Sequence, residues 1–85
     1  MAGTPRLNLI ASTDRATGIL CLEWDYRNTP GQTNHQQEGL PKAELDTTLS
    51  TLKSEGWTLE SQCANPTRDA FVETFTFTRP DAIPE

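Results

Sequence analysis

An α+β domain of ββαββ order, an antiparallel sheet with one helix packed on one face, is the architecture the sequence predicts. Apolar residues alternate with a period of two up to residue 27 and again from residue 57, as they do in half-buried strands. Between these stretches Leu45, Leu49 and Leu52 fall at the i, i+4, i+7 spacing of a buried helical stripe. With 85 residues, 34% of them hydrophobic, the chain can fill one core, so residues 1–85 are expected to form a single domain. So thin a core makes self-association, a homodimer for instance, a reasonable expectation.

The elements follow in order. Leu7, Leu9 and Ala11 alternate within a strand at about residues 6–12, and Leu20, Leu22, Trp24 and Tyr26 within a second at about 19–27. Asp14 to Gly18 has turn chemistry, and pairing Ala11 with Leu20, Leu9 with Leu22 and Leu7 with Trp24 puts all six on one face. Residues 28–40 carry Pro, Gly, Asn and Gln and only Leu40 at their end, and are expected to form a flexible loop. A helix at about 41–55 starts at Pro41, has Glu44 and Asp46 near its positive end and Lys53 near its negative end, and stops at Gly56. A Schellman turn there would return Trp57 onto Leu52. Strands at about 57–63 and 70–79 flank the turn Asn65–Asp69. Their expected register sets Cys63 against Phe71, Leu59 against Phe75 and Trp57 against Phe77, with Ser61 opposite Glu73. Residues 80–85, with two prolines and two acids, form a loose tail.

The formal net charge of -5 argues against direct nucleic-acid binding, because the seven Arg and Lys residues are scattered rather than clustered. It leaves open steering toward a basic partner, including one that normally holds nucleic acid. Neither an apolar stretch of membrane-spanning length nor a secretory leader is evident, so a cytoplasmic protein with reduced Cys21 and Cys63 is expected.

The run Leu49 to Leu59, with Glu55-Gly56-Trp57 at its centre, and the later Phe75-Thr76-Phe77-Thr78-Arg79-Pro80 resemble the small bacterial family known as domain of unknown function 4177. In that family a Leu-rich helix runs into Glu-Gly-Trp, and the last strand commonly ends in Phe-Lys-Arg or Phe-Lys-Arg-Pro; Thr78 departs from the usual Lys. The resemblance spans roughly residues 19–80 and implies a fold but no activity or catalytic residue. In size, acidity and want of catalytic motifs the chain is also similar in type to small phage-encoded inhibitors of bacterial defence, such as anti-CRISPR proteins.

His35 stands alone in a polar loop without companions at metal-ligand spacing, so it reads as a solvated histidine, and no metal or other cofactor is expected. The two cysteines lack Cys-x-x-Cys context and read as structural thiols. Glu73, on an otherwise aromatic stripe, reads either as an acid of raised pKa or as a group solvated at the sheet margin. Glu23 and Asp25 form a same-side pair of the kind a solvated strand face carries. The expected function is therefore an interaction module without catalysis, an inhibitor that blocks a protein or nucleoprotein complex with a basic surface. Its contacts would be Glu23, Asp25, Glu60, Thr74 and Thr76 on the polar sheet face, Glu44 and Glu55 on the helix flank, and His35, Gln36 and Gln37 in the loop. The alternative is a small-ligand-binding homo-oligomer with a pocket near Tyr26, His35, Ser61 and Glu73.

Overall fold

The computed structural model describes residues 4–29 and 31–79. The described residues form five strands, β1 (Arg6–Asp14), β2 (Leu20–Arg27), β3 (His35–Leu40), β4 (Thr58–Pro66) and β5 (Ala70–Thr78), and one helix, α1 (Glu44–Ser54). Strand accounts for 55% of the described residues and helix for 15%, so the protein is mostly β and the expected ββαββ domain is corrected. All neighbours in the sheet are antiparallel, in the order β3-β2-β1-β5-β4. Strand β1 lies at its centre between β2 and β5, with Leu7 opposite Phe77 and Leu9 opposite Phe75. Polar strands occupy both edges, where water satisfies the unpaired backbone and few apolar side chains are exposed.

The extra strand lies in the stretch expected to be a flexible loop. Its sequence, His-Gln-Gln-Glu-Gly-Leu, lacks alternation because it is an edge strand exposed along nearly its whole length, and only Leu40 reaches the core margin. It pairs with β2, Leu20 opposite Leu40 and Trp24 opposite His35, with a register shift between Leu20 and Leu22. Gly39, at φ 70°, lies in the part of β3 that the shift affects. The Asn34 side chain extends the ladder, its Oδ1 accepting the Tyr26 N–H at 2.7 Å.

The first hairpin keeps the expected faces but shifts by two residues, with Leu7 opposite Tyr26, Leu9 opposite Trp24 and Ala11 opposite Leu22. The Asp14 carboxylate accepts the N–H groups of Ala16 and Thr17, and Gly18 takes φ 73°, which tightens the turn and carries β1 on to Asp14. A two-residue slip leaves every side chain on its original face. In the second hairpin a register shift between Leu59 and Ser61 does change faces. Leu59 opposes Phe77 rather than the expected Phe75, Gln62 opposes Phe75, Ala64 opposes Glu73 and Ser61 opposes Thr76. Cys63 is therefore carried to the polar face opposite Thr74, and none of the expected pairs Trp57–Phe77, Leu59–Phe75, Cys63–Phe71 and Ser61–Glu73 forms. The two hairpin tips are tied together, since Arg15 donates its backbone N–H to the Asp69 carbonyl at 3.0 Å and its Nε to the Thr67 carbonyl at 2.9 Å.

The helix starts later than expected because Pro41 to Ala43 form a lead-in turn, the Glu44 N–H donating to the Pro41 carbonyl at 2.9 Å. Its eleven residues bury only Leu52, with Leu45 and Leu49 half-buried against the core, so it does not form a full second layer over the sheet. Its end is the expected Schellman turn. Trp57 N–H donates to the Leu52 carbonyl at 3.0 Å, Gly56 N–H donates to that of Lys53 at 3.1 Å, and Gly56 takes φ 95°. The core itself comprises Leu7, Leu9, Ala11, Leu20, Leu22, Leu52, Trp57, Phe75 and Phe77. The tail expected at 80–85 lies outside the described residues.

Candidate aromatic cleft

Trp24 and Tyr26 continue the apolar stripe of β2 past the last fully buried position, Leu22, toward the end of the sheet beside the C-terminal turns of α1. Alternation puts both rings on the helix side, and the pairing of β3 brings His35 beside them. Trp24 and His35 lie with ring centroids 5.2 Å apart and planes 16° apart, Trp24 and Tyr26 at 6.5 Å and 13°, and Tyr26 and His35 at 6.4 Å and 27°. Trp57, delivered by the Schellman turn, closes the group at 6.3 Å from Tyr26 and inclined by 53°. These separations fall within the range of favourable offset and edge-on aromatic contacts. Together with the Glu44-to-Glu55 side of the helix they enclose a cleft of about 330 Å³.

The cleft's polar groups are unevenly engaged. His35 Nδ1 lies 2.9 Å from the Thr33 carbonyl oxygen, which only accepts, so Nδ1 donates there. Trp24 Nε1 is buried and has no acceptor among the described residues, the kind of orphaned group that calls for an explanation. Glu44 and Glu55 line the cleft with no hydrogen bond to either carboxylate among the described residues. Arg79, at the end of β5, lays its guanidinium over the Trp57 ring, 4.5 Å from the centroid. Tyr26 has its pKa raised from 10.0, first by burial, which disfavours the phenolate, and then by the charge of Glu55, while Arg79 pulls the other way.

The ten residues expected to contact a partner separate onto two sides. By register Glu23, Asp25, Gln36, Thr74 and Thr76 share the open sheet face, where Glu60 also accepts from Thr78, whereas Gln37 is in register with core residue Leu22. His35, Glu44 and Glu55 come together in the cleft. On the open face most carboxylates are already engaged. Asp25 takes Arg27 at 3.2 Å and Asn34 Nδ2 at 3.0 Å, and Glu60 accepts the Thr78 hydroxyl at 2.9 Å. Thr76 in turn donates to Asn8 at 3.1 Å, and Gln36 donates to Glu38 at 3.1 Å.

The alternative pocket is half assembled. Tyr26 and His35 do meet, but Ser61 is carried to the open face, and Glu73 lies in another groove with Leu45 and Phe71, its Oε2 accepting from Gln62 at 3.1 Å. Trp24, Trp57 and Arg79 are not among the expected contacts and Tyr26 enters only through the alternative pocket, because an aromatic stripe on a strand reads first as core. The available signal was that β2 carries aromatics at positions beyond those three short leucine turns of helix could cover. No cluster of three or more metal-ligating side chains occurs among the described residues, and no helix there is long and apolar enough to cross a membrane. Comparison with known proteins finds no matching family model, no matching curated protein and no matching solved structure.

Proposed function

We propose that the protein is a binding module without catalysis that takes a cationic side chain of a basic partner into the cleft between α1 and β2–β3. The observation that carries this is the juxtaposition of four aromatic rings with two carboxylates, Glu44 and Glu55, that no described residue engages. Aromatic faces attract cations through their quadrupoles, and nearby carboxylates add Coulombic attraction and hydrogen-bond acceptors. The net charge of -5 steers such a partner inward, and a surface that ordinarily holds nucleic acid has the matching chemistry. An inhibitor of a nucleoprotein complex in the cytoplasm, where Cys21 and Cys63 stay as the free thiols found here, is the biological role that suits it.

Trp24 and Trp57 are the chain's two tryptophans and both line the cleft, so intrinsic fluorescence reports on it directly. A basic peptide containing both Arg and Lys is expected to shift the emission saturably at low salt. The double variant Glu44→Gln/Glu55→Gln should weaken binding by about tenfold, the scale of one lost charge-assisted contact. Absence of any emission change with cationic peptides at low salt would overturn the proposal.

A further inference from the structure

Two features bear on which cation the cleft takes. The rings of Trp24, Tyr26 and His35 are nearly parallel, at 13°, 16° and 27° to one another, and only Trp57 is strongly inclined. A spherical ammonium head is best held by a box of mutually perpendicular rings, whereas a parallel set accepts another planar group as a further layer. The second feature is Arg79. Its aliphatic stem passes over Gly56, Cδ lying 3.7 Å from where a Cβ would stand, and its guanidinium rests on Trp57. The backbone of Arg79 is fixed independently, its N–H donating to the Pro5 carbonyl at 3.2 Å, so the side chain can leave the ring without disturbing β5.

Resting on the cation-binding reading above, we propose that the ligand of the cleft is a guanidinium, the side chain of an arginine in a protein partner, and that Arg79 is an internal occupant which this arginine displaces from Trp57. The planar fork stacks on the aromatic faces while its N–H groups meet the carboxylate of Glu55, with Glu44, about 16 Å away at the other end of α1, adding longer-range attraction, a combination that the compact head of lysine does not offer. Displacing Arg79 gives up one cation–π contact made by a half-exposed guanidinium, so the intramolecular competitor lowers the apparent affinity for a partner by about two- to fivefold.

The test compares matched capped tripeptides, Gly-Arg-Gly, Gly-Lys-Gly and Gly-trimethyllysine-Gly, by tryptophan emission with the wild-type chain and with Arg79→Gln. The arginine peptide is expected to bind tightest, and Arg79→Gln is expected to bind it about two- to fivefold more tightly than wild type. A thermal melt accompanies each protein. Should Arg79→Gln melt early, Arg79→Lys, which retains the charge and gives up the planar stack, replaces it and should show the same direction of change. Equal or tighter binding of a lysine or trimethyllysine peptide would overturn the guanidinium assignment while leaving a cation-binding cleft. Unchanged or weaker arginine binding by a normally folded Arg79 variant would overturn its role as occupant. If no peptide altered the emission of either protein, the cleft reading and this inference would fall together.

Discussion

Tyr26 is the chain's single tyrosine, so its titration can be followed by ultraviolet absorbance without interference from another phenol. Because its pKa is raised in the folded protein, the unfolded chain ionises first as pH rises through 10.0. The stability linked to this proton is complete below that pH and is lost as pH climbs through the folded value. Tyr26→Phe should flatten that alkaline loss in urea titrations, and an equally steep fall in the variant would show that other groups cause it. Phe77, fully buried opposite both Leu7 and Leu59, is the other single residue on which much depends. Phe77→Ala should remove about 3–5 kcal/mol, measured by chemical denaturation, and a loss below about 1 kcal/mol would mean the site collapses around the truncation.

For the helix and its flanking strands, the decisive joint is the Schellman turn, which both stops α1 and aims Trp57. An added methyl at Gly56 would meet only the stem of Arg79 at 3.7 Å, in ordinary contact, so Gly56→Ala should destabilise through its positive φ alone, by about 1–2 kcal/mol. That turn was legible in the residues, since Gly56 and Trp57 follow the leucine stripe at the spacing the motif requires. Strand β3 was not, because an edge strand whose side chains stay in water needs no hydrophobic period, and its pairing rests on backbone bonds that side-chain patterns do not encode. The same limit applied to β4. A shift of one residue after Leu59 reversed the sides of Ser61, Gln62 and Cys63, and no residue type there announces it.

Across the whole molecule, the strand order puts the buried ladder of β1 and β5 at the centre and polar strands outside. Amide exchange should therefore be slowest at Leu7, Leu9, Phe75 and Phe77 and much faster along β3, opening there without global unfolding. Uniform protection across the sheet would instead indicate that β3 opens only with the core. With a net charge of -5, binding of a basic partner should weaken steeply as salt rises, because the attraction between exposed charges is screened beyond about 10 Å at 0.1 M. Affinity insensitive to salt would place the contact on the apolar rings rather than on Glu44 and Glu55.

Residue pattern alone established where the chain turns, which side of each long strand is apolar up to the bulge, where the helix stops and that acids outnumber bases. Each is a local property, written in periods of two or 3.6 and in glycine's freedom at positive φ. What required the folded chain was register, strand order and the meeting of His35, Tyr26, Trp57 and Arg79, drawn from four separate segments. Those depend on backbone pairing and a bulge, whose energies are shared among many residues and leave no mark on any one of them.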